Sequence, residues 1–377
     1  MTEFPYNDDI CTIRDPLDYT EPKCDLMVKA CREMAVFHRD HCPEIKWLYG
    51  KYNFDPDSIE TEADLKRIPP LGVTAMKYHL LLSLPEDRAH LILTSSGTRG
   101  QKTQVWFDRE SLDRVQAMLR LLWIQEGLVS EKPANYLQMV YDPDEAQDLG
   151  IAFSVRNEQQ FAPACRTFYA IRKNSRAQWE FKVNEAIETL RSYVEEGKSV
   201  RISGITRFIF EMLEVLDREF EHIEALPPGS FLLTGGGWKT AENKSVTREE
   251  FRALASRVLG MDEAQMRDGY GLAEHSAPYV ECRLHRFHIP VYNRILIRNP
   301  VTMELLPPGE AGLLELITPF NAMMPTLALL TTDVGRIDIE ECPCGWKSPT
   351  FTLLGRGGLV KHKGCAIHAG EIVKRKE

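Results

Sequence analysis

Three sets of residues in this chain have the types and spacing to do chemistry. The first is Thr94-Ser95-Ser96-Gly97-Thr98-Arg99-Gly100-Gln101-Lys102. Its glycines let main-chain N–H groups approach an anion closely, and its hydroxyls add donors. Such a loop suits a nucleotide polyphosphate, although it is not a P-loop, because the Gly-x4-Gly-Lys-Ser/Thr pattern is missing. The second set is Cys282-x5-His288 with Cys342-x-Cys344, a split Cys3His group. Thiolates and imidazole together suit tetrahedral zinc, with His285 as an alternative to His288. The third is Cys365, which follows Lys361-His362-Lys363-Gly364. Flanking cations favour the thiolate, and the thiolate is the nucleophile. Taken singly, each set also reads as ordinary structure: a Ser/Gly turn, four unmetallated side chains, a tail cysteine.

Four further segments punctuate the chain in a fixed order. Thr234-Gly235-Gly236-Gly237-Trp238-Lys239 is a glycine turn at a strand end, and Asp268-Gly269-Tyr270-Gly271-Leu272-Ala273-Glu274 sets an aromatic ring and a carboxylate close together. Thr331-Thr332-Asp333-Val334-Gly335 places a carboxylate at the end of a hydrophobic strand, and Leu354-Gly355-Arg356 follows it.

The elements that must position these residues can be read from periodicity. Residues 22–49 read as helix, with Leu26, Ala30, Met34 and Phe37 on one face. Leu91-Ile92-Leu93 reads as a strand feeding the hydroxyl-rich loop. Asp108 caps a helix bearing Leu112, Val115, Leu119 and Leu122, stopped by Gly127. Residues 181–196 repeat the pattern and end at Gly197. Strands over Val200 to Ser203 and Phe231 to Leu233 alternate with helices, one from about Ile205 and one opened by a Thr247/Glu250 capping box. Such alternation implies crossover units and a sheet covered on both faces. Beyond Arg286 the texture changes to successive strands at Arg294 to Ile297, Leu313 to Ile317 and Leu327 to Leu330. The fold class is α/β with a β-rich C-terminal part.

Composition narrows the function. With 377 residues, 43% hydrophobic and 27% charged, the chain reads as an ordinary globular protein, and its net charge of -9 excludes a nucleic-acid footprint, which would be basic. No apolar run reaches the ~20 residues that span a bilayer. The acidic stretch Met1 to Asp9 lacks the apolar segment of a signal peptide, and the cysteines show no secretory framework. The expectation is a cytoplasmic protein with no membrane span.

In their order, the glycine loop and the four later segments resemble the adenylate-forming superfamily of acyl and aryl ligases. The chain is especially similar to its phenylacetate-CoA-ligase-like branch and, within that, to the LuxE-type acyl-protein synthetases of fatty-acid reductase systems. The resemblance runs from about Phe54 to the C-terminus. It includes Ile68-Pro69-Pro70 leading to Lys77, the Ser-Ser-Gly-Thr form of the loop, and Gly236-Gly237-Trp238-Lys239.

The resemblance implies an adenylate-forming large N-terminal domain over residues 1–355 and a truncated C-terminal segment, 356–377, carrying Cys365. It implies that Ser95, Ser96, Gly97, Thr98 and Gly100 hold the ATP phosphates. Gly235, Gly236 and Gly271 would line the nucleotide and Tyr270 would stack on the adenine. Asp333 would accept from the ribose hydroxyls with Arg356 beside it, and Glu274 would bind Mg2+. Lys239 and Cys365 would be catalytic, and a structural zinc would occupy the Cys3His set, as in phenylacetate-ligase-like proteins. Three positions depart from the superfamily pattern: Ala273 stands for a threonine, Thr332 for a glycine, and no acidic residue follows Gly355-Arg356. The superfamily's mobile C-terminal domain is expected to be absent or vestigial, which argues against CoA as acceptor.

The expected function is ATP- and Mg2+-dependent activation of a carboxylic acid, a fatty acid by the resemblance, to acyl-AMP. Transfer to Cys365 as a thioester would follow, for delivery to an acyl reductase or another acceptor protein. A ligase delivering the acyl group to CoA or a carrier protein is the first alternative. A catalytically silent nucleotide-binding interaction protein is the second. The aromatic residues between Tyr141 and Ala170, among them Phe153, Phe161 and Phe168, are candidates for an acyl pocket.

Overall fold

A proline divides the long N-terminal helix expected over 22–49. Helices form over Glu21–His41 and Pro43–Lys51, with Cys42 between them in an extended conformation (φ -121°, ψ 107°). The ring of Pro43 disfavours the helical region for the residue before it, so the apolar periodicity continues while the helix does not. The computed structural model describes residues 3–94, 103–145, 161–237, 246–277 and 279–356. Two units make up the chain: Met1–Gln125 with Leu272–Tyr279 and Arg286–Glu377, and Glu126–Gly271 with Val280–His285.

The first unit contains a six-stranded sheet and a two-stranded ribbon. In the sheet, β11 (Phe287–His288), β15 (Thr350–Arg356), β14 (Ala328–Ile337), β13 (Gly312–Ile317) and β12 (Arg294–Arg298) lie in that order and pair antiparallel, while β1 (Leu71–Gly72) pairs parallel with β14. Every residue of β13 is buried, the pattern of a strand covered on both faces. The strand read at Leu327 to Leu330 extends to Ile337, so Asp333 lies within β14 rather than at its end. Helix Arg109–Gln125 starts where Asp108 Oδ2 accepts from Ser111 N–H at 3.3 Å. Its buried Arg114 is tied to Asp8 of helix Pro5–Cys11 at 2.6 Å and donates to the Phe320 carbonyl at 3.2 Å.

The ribbon pairs β2 (Leu91–Thr94) antiparallel with β3 (Gln104–Phe107). The hydroxyl-rich segment 95–102 therefore connects two strands of a hairpin, where the sequence showed only the first. Ser95, Ser96, Gly97, Thr98 and Gly100 themselves lie outside the described residues.

The second unit holds a seven-stranded sheet in the order β10-β9-β8-β7-β4-β5-β6. These are β4 (Ala134–Tyr141), β5 (Ala164–Lys173), β6 (Trp179–Phe181), β7 (Val200–Ile205), β8 (Phe231–Gly235), β9 (Met266–Tyr270) and β10 (Tyr279–Val280). Strands β5, β4, β7, β8 and β9 run parallel, and β6 returns antiparallel to β5. Helices Val183–Glu196, Thr206–Glu219 and Arg248–Leu259 bury their apolar stripes in one core with the sheet, through Ile187, Leu190, Met212, Leu216 and Val258 against Leu137, Ile202 and Leu232. The capping box expected at Thr247 and Glu250 forms, with both reciprocal hydrogen bonds. Gly204 adopts φ +138°, and a Cβ there would stand 2.6 Å from the Met139 carbonyl oxygen of β4. Only glycine fits that approach. Phe168 of β5 is partly buried against the helix-covered core of this unit and Phe161 is buried; Phe153 is outside the described residues.

Candidate functional site

In the second unit, the candidate nucleotide residues occupy the carboxyl ends of two neighbouring parallel strands. Thr234 of β8 lies opposite Asp268 of β9, and Gly235 opposite Gly269. Gly236 follows with φ +70°, a left-handed turn that suits glycine, and Tyr270 closes β9 with its side chain 7% exposed. Open α/β sheets take ligands outside the carboxyl ends of their strands, where the chain turns away and leaves backbone groups at a crevice. Gly235, Gly236, Tyr270 and Gly271 are at such ends. Trp238 and Lys239 fall outside the described residues.

A charged network lies one step below these ends. Asp268 accepts from Thr234 Oγ1 at 2.8 Å, and its own N–H donates to Glu281 Oε2 at 3.0 Å. Arg248 stands 3.4 Å from each carboxylate, and His285 Nδ1 is 3.5 Å from Glu281. Loss of hydration first, and then the Glu281 charge, push Asp268 up to about 6. This network was not legible from the sequence: Asp268 stood in the Tyr270 motif, but nothing linked it to Glu281 or Arg248.

In the first unit, Glu274 sits in a tight turn in which Ser276 N–H donates to the Leu272 carbonyl at 2.7 Å and Ser276 Oγ to the Ala273 carbonyl at 2.6 Å. Glu274 is 8% exposed, and no hydrogen bond or ion pair to its carboxylate occurs among the described residues. His275 beside it is fully buried, stacked on Tyr279 with Nε2 3.1 Å from the phenol oxygen. Burial pushes this ring down to about 3, so it is neutral at physiological pH. Asp333 is buried within β14, opposite Arg356 of β15 in register. Its N–H donates to Thr331 Oγ1 at 3.1 Å.

Three members of the Cys/His set come together in the first unit, and Cys282 belongs to the second. Cys342 and Cys344 lie on the connection from β14 to β15, His288 on β11 beside β15, and Cys282 shortly before it in the chain. Within the first unit, the ligand atoms of His288, Cys342 and Cys344 lie within 4.8 Å of one another, and Cys344 Sγ is 3.2 Å from His288 Nε2. Such spacing fits one tetrahedral ion with bonds of about 2.0–2.3 Å. Burial pushes His288 down to about 4, leaving it neutral, the form that ligates. Its Nδ1 is 2.7 Å from Ser348 Oγ. A proton on Nδ1 donated to Ser348 turns the Nε2 lone pair toward the thiols, the usual role of a group behind a ligating histidine. His285 instead faces Glu281 within the second unit. No described cysteine is disulfide-bonded. Cys365 is outside the described residues.

Comparison with solved structures gives the class of fold. The chain is similar to 2-hydroxyisobutyryl-CoA ligase in complex with 2-HIB-AMP and CoA, with TM-score 0.68 and 13% identity over 89% of this chain and 69% of that one. A second structure of that ligase, in the postadenylation state, gives TM-score 0.67 and 12% identity over 93% and 74%. The fold is that of adenylate-forming ligases. The family model of the acyl-protein synthetase LuxE matches residues 3–373, and the chain belongs to that family. It is an enzyme of the ligase class that activates acyl groups and transfers them. Among its relatives is a long-chain-fatty-acid–luciferin-component ligase of Aliivibrio fischeri, 23% identical over 375 residues that cover 98% of this chain and 94% of the relative. Another of that description, from Vibrio harveyi, is 24% identical over 84% of this chain and 81% of its own. Among the described residues no helix is long and apolar enough to cross a membrane.

Proposed function

We propose that the protein adenylates a long-chain fatty acid with ATP and carries the acyl group on Cys365 for a partner protein such as an acyl reductase. The observation that carries the reading is the glycine end of β8, Gly235 opposite Gly269 with Gly236 following, beside the parallel strand β9 that closes on Tyr270. Glycine edges admit a flat ring and Tyr270 offers a stacking face. Asp333 takes the ribose hydroxyls with Arg356, and Ser95, Ser96, Gly97, Thr98 and Gly100 take the phosphates, with Lys239 as a further cation toward the reacting groups. The Glu274 carboxylate, without a hydrogen-bond partner among the described residues, suits Mg2+, a hard cation that prefers oxygen and would neutralise phosphate charge when bound.

In the first step the fatty-acid carboxylate oxygen bonds to the α-phosphorus while the bond to the bridging oxygen breaks and pyrophosphate leaves. Attack of this kind needs alignment and charge neutralisation more than a proton donor. In the second step the Cys365 sulfur bonds to the acyl carbon, the mixed anhydride breaks and AMP leaves; the thiol proton goes to solvent. The lysines flanking Cys365 favour its thiolate. Zinc in the Cys3His set would act structurally, stapling the β14–β15 connection, and the thiols it needs fit a reducing cytoplasmic setting.

Acid-dependent pyrophosphate exchange with a panel of fatty acids tests the first step, and Cys365→Ala separates the second. The expected result is exchange retained and protein acylation lost. Undiminished thioester delivery to CoA by that variant would favour the CoA ligase alternative. ATP binding without exchange for any acid would defeat the adenylation reading.

A further inference from the structure

Strand ends built from glycine carry no side chains to hold their spacing. Gly235, Gly236 and Gly237 end β8, and Gly269 and Gly271 flank Tyr270 at the end of β9. A Cβ on Gly235 would find its nearest neighbour at 3.8 Å, and one on Gly237 nothing within 4 Å. The stiffness has to come from elsewhere in the unit.

It is available one residue back. Thr234 Oγ1 reaches across the β8–β9 pair to Asp268 at 2.8 Å. Glu281, with its side chain 3% exposed, accepts the Asp268 N–H at 3.0 Å, and its own N–H donates to the Asp268 carbonyl at 3.0 Å. Arg248, in the first turn of helix Arg248–Leu259, spans both carboxylates at 3.4 Å. Threonine, two acids and an arginine thus tie β8, β9, the segment after β10 and a helix terminus into one network directly beneath the glycine ends. Hydrogen bonds to charged groups are among the stronger ones, and Thr234 and Glu281 make theirs from buried positions.

We propose that Thr234, Arg248 and Glu281 are positioning residues: acting through Asp268, they fix the separation of the β8 and β9 ends and so set nucleotide affinity. The proposal rests on the nucleotide reading of those ends. It has its own readout, because the clamp exists before any ligand binds.

Amide hydrogen exchange of nucleotide-free protein tests it directly. Thr234→Val removes the bridging hydroxyl at nearly constant size; exchange at 235–237 and 269–271 is expected to rise about tenfold. Thr234→Ser restores the hydroxyl, and its exchange stays within about twofold of the parent. Glu281→Gln removes the charge that Arg248 faces and shifts the same amides in the same direction, a second route should Thr234→Val fold poorly. For ATP, Thr234→Val binds about tenfold more weakly by calorimetry and raises KM for ATP with kcat unchanged, while Thr234→Ser matches the parent. Parental exchange in both Thr234→Val and Glu281→Gln overturns the clamp. A parent that binds no ATP, with exchange still altered in the variants, leaves the clamp standing and removes the nucleotide reading instead.

Discussion

In the parallel sheet of the second unit, the candidate residues are backbone and one ring at the ends of β8 and β9, held by a network of Thr234, Asp268, Arg248 and Glu281. In the antiparallel sheet of the first unit they are side chains: Asp333 buried along β14, Glu274 in a tight turn, and the thiols and imidazole around the β14–β15 connection. One region shapes a crevice by omitting side chains and stiffens it from below. The other concentrates charged and ligating side chains. The lesson is that two kinds of substitution are informative here, removal of a ligating or charged group in the first unit and removal of a spacer or stacking group in the second.

The largest effect is expected at the Cys/His set. Cys342→Ser or Cys344→Ser loses bound zinc and destabilises the protein by an amount on the order of 4 kcal/mol, the range in which metal sites fall; metal analysis and denaturant unfolding measure it. Ser348→Ala keeps all four ligands and weakens metal affinity about 10- to 100-fold through loss of the His288 contact. Full metal content in Cys344→Ser would break the assignment. Next come Glu274→Gln and Asp333→Asn, each costing about 2–4 kcal/mol of transition-state stabilisation, read as kcat/KM for pyrophosphate exchange. Near-parental rates in both would refute their roles. Tyr270→Ala, in the second unit, should cost about 1–3 kcal/mol of ATP affinity through lost stacking, and Tyr270→Phe very little.

The smallest effect separates the two units by sign. His38 and His275 in the first unit are pushed down to about 3 by burial. The unfolded chain therefore takes up protons first as pH falls through 6.5, and stability present above that value is lost progressively toward pH 3. From pH 7 to pH 6 the loss is about 0.7 kcal/mol per histidine. In the second unit Glu126 is raised to about 7 and Asp268 to about 6 by burial. There the folded state binds the protons first, so acidification over the same interval stabilises it. Amide exchange at pH 7 and pH 6, corrected for intrinsic rates, should show protection falling around His38 and His275 and rising around Glu126 and Asp268. The same direction in both would contradict this.

Much of the chain was legible because local chemistry decided it. Thr247 with Glu250 opened a helix, Gly197 at φ +75° closed another, and the β-rich texture after Arg286 became an antiparallel sheet. Cys282, His288, Cys342 and Cys344 were legible by ligand type, and only folding could choose His288 over His285. What escaped had a reason each time. β4 and β5 are parallel strands whose register depends on distant partners. β3 pairs with β2 across the loop that drew attention to β2 alone. Asp333 reads as terminal because apolar residues stop before it, yet pairing with β15 extends β14 to Ile337. The Thr234–Asp268–Glu281 network joins residues that no periodicity relates.

Intact-mass analysis of the full chain, incubated with ATP, Mg2+ and a long-chain fatty acid, tests the central claim most directly. The account predicts a mass gain of one fatty acid less water, removed by neutral hydroxylamine and absent in Cys365→Ala. An unmodified parent chain, under conditions where acid-dependent pyrophosphate exchange proceeds, would contradict it.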